Sequence, residues 1–313
     1  MDGILVVAKP VGPTSHDIVG LIRRLSATKR VGHGGTLDPF ASGVLPIFLG
    51  KATRLVEYHL GDRKRYRATV CFGASSTTDD LEGDLTPSTG PAPAESDVAA
   101  ALAAFRGRIS QRPPDYSAIK VAGRRAYAMA RAGQSVELAP RDVTIHSIEI
   151  ESWDATDPER PVAIVDVECS AGTYIRSLAR DLGVAVGSAA YLGALVRTAS
   201  GQFRLEAAID VEAIRAAAAD DPAALERLLL PVDAGLDDLP RLTVDAATIG
   251  ALVRGQPAAP PGDVEIHDGP DGDDRPILVI DTDGRLVAIA TLKRGRLAPD
   301  KVLVEAPAAT ARA

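Results

Sequence analysis

The sequence predicts a mixed α/β protein with two domains, and three observations support this prediction. The chain has 313 residues, which is more than a single hydrophobic core usually organises. Along 1–235, apolar runs and period-two alternation are interspersed with stretches of helical period. A Pro-containing linker over 230–240 then leads to a shorter part in which strand patterns dominate. We expect a large domain over 1–235 and a small β-rich domain over 236–313, with a disordered tail from Pro307.

The composition excludes several classes of protein. Hydrophobic residues make up 46% of the chain, as in ordinary globular proteins, and no apolar run approaches the ~20 residues that cross a bilayer. The N-terminus lacks the basic region and long apolar core of a signal peptide. Cys71 and Cys169 form neither a disulfide framework nor a metal-binding pattern, and we expect both in the core. These features predict a protein of the reducing cytoplasm that has no membrane segment.

The charges are distributed unevenly along the chain. The net charge of -7 disfavours a simple nucleic-acid binder, because phosphates are neutralised by cations. Residues 1–143, however, carry 19 Lys and Arg against 14 Asp and Glu, whereas 144–313 carry 16 against 28. Arg outnumbers Lys by 28 to 7, which suits phosphate contacts, although genome composition can produce the same bias. A basic surface is therefore expected in the N-terminal part.

The first predicted strand covers 3–9, GILVVAK, and ends at Lys9. A turn follows, in which Ser15 is the predicted N-cap of a helix over 17–25. Lys9 is either a surface charge at the strand end or a structural support for the neighbouring turns. We favour the structural role over a chemical one.

The next stretch, 31–50, combines a Gly-rich turn, one carboxylate, a small-residue turn and an apolar strand. Asp38 is followed by a proline that stiffens the chain, and the nearby glycines allow close approach to a ligand. Two interpretations remain open from spacing alone: an ordinary turn aspartate, or a carboxylate held rigidly for chemistry. His33 is more often structural than catalytic in such a position, and no second His gives zinc-ligand spacing.

Residues 50–60 predict a short helix with Leu55, Val56 and Leu60 directed inward. Four cations then surround Tyr66 ahead of a strand over 68–72. This arrangement is either a solvated edge strand or a phosphate-contacting strand with a stacking ring, as in single-stranded nucleic-acid sites. Loops are predicted over 73–83 and 86–96, and a short helix over 97–105.

The segment 105–133 carries a dense cluster of cations against a single carboxylate, Asp115. A strand is predicted over 116–120, after two prolines, and a basic helix over 123–132. Such a cluster indicates contact with an RNA backbone, and a solvated charged surface is the alternative. The cations are Arg106, Arg108, Arg112, Lys120, Arg124, Arg125 and Arg131.

Further along, strands are predicted over 143–150 and 162–169, and the stretch 170–178 then enters a helix that runs to about Gly183. Arg176 lies where this helix begins, so it could be only a surface residue of a strand-to-helix cap. An Ala- and Leu-rich helix is predicted over 206–230. In the C-terminal part, strands over 276–281 and 286–291 flank Asp281-Thr282-Asp283-Gly284, a hairpin signal.

The amino-acid sequences of several stretches resemble motifs of the TruB family of pseudouridine synthases. The resemblance covers about 3–203 with strong motifs and, more weakly, the C-terminal part. It implies a pseudouridine-synthase core, built on a large, mostly antiparallel sheet flanked by helices, and a small PUA-like RNA-binding domain. The matching stretches are KPVGPTS from Lys9, GHGGTLDPFASGVLP from Gly32, KRYRATVCFG from Lys64, YSAIKVAGRRAYAMAR from Tyr116, CSAGTYIRSLARDLG from Cys169 and GSAAYLGALVRTASGQF from Gly187.

The resemblance implies that Asp38 is the catalytic residue. Arg176 is its expected partner, and a guanidinium beside a buried carboxylate is expected to keep it ionised with a depressed pKa. Tyr66 is expected to stack on the target uracil, with Tyr174 as a second ring under the base. These four residues form the predicted catalytic set.

Further roles follow from the same resemblance. His33 would take the place of the displaced base in the RNA stack, and Leu195 would line the uracil pocket. Lys120 and Arg124 belong to an insertion over 105–133 that would contact the tRNA arm. Lys9 would support the catalytic loop.

Three positions depart from the family pattern. Thr77 stands where the loop motif TDTxDxxG has its first Asp, while Thr78, Asp80 and Gly83 match it. Tyr191 replaces a His, and Val196 replaces the first Arg of a pair. These departures put RNA contacts in question and leave the predicted catalytic set unchanged.

The activity implied by the resemblance is isomerisation of uridine 55 in the TΨC loop of tRNA. The base would be flipped out, and its glycosidic bond cleaved and re-formed at C5 in an Asp38-dependent reaction that needs no cofactor. Whether Asp38 attacks C1′, attacks C6 or deprotonates the sugar is left open.

The wording over 116–131 is typical of the stand-alone bacterial type, so we expect a monomer that needs no guide RNA. Two alternatives remain. The protein could act mainly as a tRNA-folding helper, or as an RNA-guided synthase.

Overall fold

Two β-sheets organise the chain in the computed structural model, which describes residues 1–117, 120–121, 124–125, 129, 138–262 and 275–304. The strands in chain order are β1 (Gly3–Lys9), β2 (Val31–His33), β3 (Ser42–Leu49), β4 (Lys64–Phe72), β5 (Ala74–Ser76), β6 (Leu85–Pro87), β7 (Gly107–Gln111), β8 (Lys120–Val121), β9 (Arg124–Arg125), β10 (Arg141–Asp154), β11 (Val162–Cys169), β12 (Ala190–Ser200), β13 (Phe203–Arg204), β14 (Ile209–Asp210), β15 (Arg241–Thr243), β16 (Ile277–Ile280), β17 (Leu286–Lys293) and β18 (Arg296–Val302).

Helices connect these strands and cover the sheets. The α-helices are α1 (Ser15–Leu25), α2 (Val56–Leu60), α3 (Glu95–Ala101), α4 (Ile175–Ala185), α5 (Val211–Asp220), α6 (Pro222–Arg227) and α7 (Ala246–Val253). Short 3₁₀ turns cover Gly50–Leu55, Leu102–Phe105 and Leu205–Ala207. In the part of the chain that the structure describes, no helix has the length and apolar character needed to span a membrane.

The large sheet has ten strands among the described residues, in the order β14-β1-β3-β12-β4-β11-β10-β7, with β13 beside β12 and β2 beside β3. Its described pairings are antiparallel except for β1 with β14 and β3 with β12. Helix α4 and β4 bury one apolar cluster on one face, and α1 packs with β1 and β3 in another. The predicted mixed α/β class, with a large and mostly antiparallel sheet, is confirmed.

Strand β4 lies in the middle of this sheet, between β12 and β11, because both partners pair along almost its whole length. Its side chains alternate, so Tyr66 is buried with the core while Arg65 and Arg67 are exposed on the opposite, open face. The solvated edge strand considered for this stretch is therefore wrong. The same alternation leaves Cys71 half-buried on the open face, whereas Cys169 is buried as predicted.

Helix α1 begins at Ser15, two residues before the predicted start, and its N-cap lies one residue earlier than predicted. Thr14, and not Ser15, is the N-cap, because Thr14 and Asp17 form a reciprocal capping box. The Thr14 hydroxyl accepts from the Asp17 N–H at 3.1 Å, and the Asp17 carboxylate accepts from the Thr14 N–H at 2.9 Å. The Ser15 hydroxyl is thereby available for the backbone of Leu37, with which it exchanges two hydrogen bonds.

The predicted helix over 50–60 is present, but its first half is a 3₁₀ turn. Leu55 is fully buried, whereas Leu60 is 50% exposed, which corrects its inward placement. Five positions along an α-helix turn a side chain well away from the starting face. Leu60 is therefore half-exposed and is not directed into the core.

Other corrections concern short strands in stretches that were predicted as loop or helix from their residue composition. The predicted loop over 86–96 begins with β6, which pairs with β5. The predicted helix over 206–230 is divided into a 3₁₀ turn, β14, α5 and α6. Tyr116 and Ser117 lie in a bend and not in a strand, after two prolines that cannot donate to a ladder.

The predicted basic helix over 123–132 is wrong at its start, where β9 pairs with β8. The structure describes only the backbone of Lys120 and Arg124, whose side chains lie outside the described part. The rest of the predicted helix, apart from residue 129, lies outside it too.

The C-terminal sheet has the order β15-β16-β17-β18, and the predicted hairpin between β16 and β17 is confirmed. Its apolar residues meet those of the larger unit in one cluster that contains Leu55, Leu236 and Leu278. The boundary at 235, the PUA-like character and the disordered tail stay predictions.

The capping box generates a stability prediction. Thr14→Ala should lower the free energy of unfolding by about 1 kcal/mol, because it leaves helix N–H groups without their acceptor. Thr14→Ser keeps the hydroxyl and should lie close to the wild type. Urea unfolding followed by circular dichroism measures both variants, and equal losses for Ala and Ser would contradict the capping role.

Candidate active site

A cleft of about 590 Å³ opens beside the middle of the large sheet. Separate parts of the chain contribute to its lining: the loop between β2 and β3, the start of β4, the bend before β8, the turn into α4, and β12. Its lining residues include Gly34, Gly35, Thr36, Leu37, Asp38, Pro39, Leu60, Lys64, Tyr66, Tyr116, Ser117, Tyr174, Arg176, Leu195 and Arg197.

The structure brings five of the predicted site residues into this one cleft. They are Asp38, Tyr66, Tyr174, Arg176 and Leu195. Lys9 and His33 lie beside the cleft and do not line it, and the side chains of Lys120 and Arg124 lie outside the described part. The chemical roles assigned to all of these residues remain predictions.

The side chains of Lys9 and Ser15 hold the loop that carries Asp38 by hydrogen bonds to its backbone. Lys9, at the end of β1, is only 1% exposed, which excludes the surface charge considered for it. Its ammonium donates to the carbonyl oxygens of Pro10 at 2.8 Å and Ala41 at 2.7 Å. Burial lowers the pKa of Lys9 to about 8, while the nearby Asp38 carboxylate opposes this shift. With the Ser15 bonds to Leu37, these contacts hold both ends of the loop.

Arg176 connects three parts of the chain around Asp38. Its Nε lies 3.1 Å from Asp38 Oδ2, and its Nη1 lies 3.4 Å from Asp80 Oδ2. It also donates to the carbonyl oxygens of Thr78 at 3.2 Å and Tyr116 at 2.9 Å. Because the side chain is 8% exposed, the surface cap considered for Arg176 is wrong. The guanidinium is held in one orientation.

The predicted depressed pKa of Asp38 is wrong. Burial in the cleft raises the pKa of this carboxyl above its ordinary value, and the Asp80 carboxylate adds to the rise. The Arg176 guanidinium opposes the rise without cancelling it. Arg176 divides its charge between two carboxylates, which the sequence did not reveal. Asp38 is therefore more basic than an ordinary aspartate.

Asp80 is a site residue that sequence reasoning did not select, although it matched the family's loop pattern. It is 3% exposed and accepts hydrogen bonds from the Thr78 hydroxyl at 2.5 Å and the Glu82 N–H at 3.0 Å. Beside it, the Thr77 hydroxyl accepts from the Asp84 N–H at 3.0 Å. Thr77 therefore shapes this turn at the position where the family has Asp.

Arg197 was also missed. It is 1% exposed and donates to the backbone carbonyls of Val44 at 2.7 Å, Gly35 at 3.2 Å and Thr36 at 3.4 Å. Its spacing of two residues from Leu195 on a strand was the available signal, since both side chains then share a face. Val196 lies between them and faces the other side of the sheet, away from the cleft.

The aromatic rings and the cations of β4 do not form one surface. Arg63, Arg65 and Arg67 pair with Glu168, Asp166 and Glu151 on the open face of the sheet. The phosphate-contacting strand with a stacking ring is therefore wrong in its geometry. Lys64 does share the cleft with Tyr66, and burial lowers the pKa of Lys64 to about 8. Burial raises the pKa of Tyr66, so its phenol is neutral at pH 7.

His33 ends β2 and precedes the glycines that line the cleft. Its Nδ1 accepts a hydrogen bond from the Gly35 N–H at 3.3 Å, and burial lowers its pKa. The imidazole is therefore neutral at pH 7 and carries its proton on Nε2. Within the described residues, no three His, Cys, Asp or Glu side chains are grouped so as to hold a metal ion.

Comparison with known proteins places this site in a family. Residues 23–175 match the TruB family pseudouridylate synthase (N terminal domain), and residues 176–237 match the tRNA pseudouridylate synthase B C-terminal domain. A tRNA pseudouridine synthase B from Bradyrhizobium diazoefficiens is 41% identical over 303 residues, which are 96% of this chain and 85% of that protein. The one from Mycobacteroides abscessus is 41% identical over 298 residues, 94% of this chain and 97% of that protein.

The fold is similar to that of solved structures as well. The crystal structure of a Cbf5-Nop10-Gar1 complex contains a chain that is 26% identical, with a TM-score of 0.71. The alignment covers 97% of this chain and 85% of that chain.

The raised pKa of Asp38 generates a prediction about stability. Above its folded-state pKa, the ionised carboxylate destabilises the folded state relative to a neutral group. Asp38→Asn should therefore raise the melting temperature at pH 7. The difference from wild type should shrink as the pH falls through the folded-state pKa toward the ordinary value near 4. Calorimetry between pH 4 and 8 measures it, and a variant that is less stable at pH 7 would contradict the burial effect.

Proposed function

Because the chain belongs to the TruB family of pseudouridylate synthases, we propose that it converts uridine 55 in the TΨC loop of tRNA to pseudouridine. Formation of pseudouridine in tRNA is the coarser activity, and it follows from the many relatives that are named tRNA pseudouridine synthase B. The position in the tRNA and the chemical steps are the proposal. The observation that carries it is the Asp38–Arg176 pair in a cleft that two tyrosines also line.

The reaction requires a base that has left the RNA helix. Its C1′–N1 bond breaks, a C1′–C5 bond forms, C5 loses its hydrogen and N1 gains one. The nucleoside must therefore leave the RNA stack to reach the Asp38 carboxylate in the cleft, and a flipped nucleotide can do so. The cleft is large enough for a nucleotide, and Tyr66, Tyr174 and Leu195 supply the flat and apolar surfaces that hold a free uracil while it rotates.

Asp38 is the group that acts on the nucleoside. Its raised pKa makes the carboxylate a better nucleophile and a better base than an exposed aspartate. Arg176 fixes the orientation of the carboxylate, which reduces the entropy lost on reaching the transition state. This combination serves attack at C1′, attack at C6 and deprotonation of the sugar equally well, because each step needs an oriented and ionised carboxylate.

The remaining parts of the proposal concern partners. The same base is detached and reattached, so no cofactor enters the reaction. We propose a monomer that acts in the cytoplasm on tRNA without a guide RNA, with the insertion over 105–133 and the domain over 236–313 contacting the tRNA. The exposed Arg106, Arg108 and Arg112 at the root of the insertion support contact with an RNA backbone.

Tritium release from a tRNA transcript labelled at uracil C5 tests the proposal. The wild type should release tritium without any added RNA, and mapping of the product should place pseudouridine at position 55. Asp38→Asn should lower turnover by many orders of magnitude, because the reacting carboxylate is lost. Its affinity for tRNA should remain close to that of wild type.

Asp166→Asn is the matched control, since it makes the same change on the open face of the sheet. Release by wild type and by this control, but not by Asp38→Asn, is the expected pattern. Tight tRNA binding without release by the wild type would favour a tRNA-folding helper. Release that depends on an added guide RNA would favour the RNA-guided alternative.

A further inference from the structure

Arg180 lies one helical turn after Arg176 on α4 and contacts three separate groups. Its Nη1 donates to Asp79 Oδ2 at 2.8 Å, its Nε to Asp181 Oδ1 at 2.9 Å, and its Nη2 to the Arg112 carbonyl at 2.9 Å. Residues four apart share a helix face, so Arg176 and Arg180 project from the same side of α4. None of the Arg180 partners lines the cleft.

The first partner, Asp79, belongs to the turn that presents Asp80 to Arg176. Its φ is 61°, in the left-handed region that costs energy for residues other than glycine. The Asp79 backbone is held by a hydrogen bond from the Leu192 N–H to its carbonyl at 3.0 Å, and its carboxylate is held by Arg180. The ion pair between Arg180 and Asp79 thus stabilises a strained turn directly beside Asp80, the residue that pairs with Arg176.

The second partner, the Arg112 carbonyl, directly follows β7 within the insertion over 105–133. This carbonyl also accepts from the Ser177 hydroxyl at 2.8 Å. Four residues later, the Tyr116 carbonyl accepts from Arg176. The root of the insertion is therefore held along one side of α4 by both arginines.

Arg176 has partners in the Asp38 loop, the turn at 78–80 and the root of the insertion. Arg180 joins the last two of these to each other and to the same helix. Its ion pair with Asp79 is largely buried, with side chains 27% and 16% exposed, so solvent screens it less than a surface pair.

We propose that Arg180 is a positioning residue for the reaction: through Asp79 and Arg112 it fixes the two elements that orient Arg176, and thereby the carboxylate of Asp38. This inference rests on the proposed function, because its effect is read in the rate of uridine isomerisation. Arg180 touches neither the cleft nor Asp38, so it sets geometry and does not take part in bond changes. Small displacements of a reacting group are enough to slow an enzyme strongly.

The rate of a single turnover at saturating tRNA isolates the chemical step from binding. Arg180→Met, which keeps the apolar stem, should lower this rate about tenfold, while the dissociation constant for tRNA changes by less than about twofold. Asp79→Gly removes the carboxylate and tolerates a φ of 61°, so it should give a similar loss. The double variant should be no slower than Arg180→Met alone, because the Asp79 carboxylate acts through its contact with Arg180.

Arg65→Met is the matched control, because Arg65 pairs with Asp166 at 2.7 Å on the open face of the sheet, away from the cleft, with side chains 55% and 22% exposed. All rates are measured well below the melting temperatures of the variants. A purely structural Arg180 would lower the melting temperature as in Arg65→Met and leave the single-turnover rate unchanged.

The outcomes separate the inference from the proposed function. If the wild type is inactive on tRNA, the proposed function fails and the inference falls with it. If the wild type is active and Arg180→Met matches its rate, only the inference fails. Losses that multiply in the double variant, or that occur only in tRNA affinity, would also overturn it.

Discussion

The site depends on a short parallel junction between β3 and β12. Only Val196 with Ser42 and Arg197 with Gly43 pair there, yet this junction joins the strands that carry the Asp38 loop to the strands that carry Tyr66 and Leu195. Gly43 has a φ of +111°, and a Cβ at this position would overlap the backbone of Arg197. Only glycine fits so close an approach. The cleft lies where the two parts of the sheet meet.

Buried cations complete this junction. Lys9 and Arg197 place their charges beneath the Asp38 loop, and both are held mainly by backbone carbonyls. Burying a charge is costly unless it is hydrogen-bonded, and each carbonyl lowers that cost. Backbone carbonyl oxygens of the loop therefore accept hydrogen bonds from these two cations. The Asp38 side chain is the part of the loop that remains directed at the cleft. Rigidity of the loop and orientation of the carboxylate have the same physical origin.

The basicity of Asp38 arises from competition between burial and charge. A single guanidinium shared between two carboxylates does not offset the effect of burial on the pKa of Asp38. An aspartate that is oriented but not fully neutralised is suited to attack or to proton removal, and a fully paired one would be less reactive. Asp80 competes with Asp38 for the charge of the Arg176 guanidinium. The contacts with Asp38, Asp80 and the Tyr116 carbonyl are linked, because the Arg176 side chain makes all three of them.

From the sequence alone we predict the strands over 143–150 and 162–169, the helix over 17–25, the hairpin of β16 and β17, and the motifs that carry Asp38, Tyr66, Tyr174 and Arg176. Local periodicity and sequence motifs depend on residues that are close along the chain, so a single sequence is enough to recognise them. The tertiary structure alone decided that Arg65 and Arg67 face away from Tyr66 toward acidic partners, that Leu60 is exposed, and that Asp80 and Arg197 belong to the site. It also decided the direction of the Asp38 pKa shift. Burial and charge at this carboxylate come from residues far apart in the chain, and no local pattern records their distances.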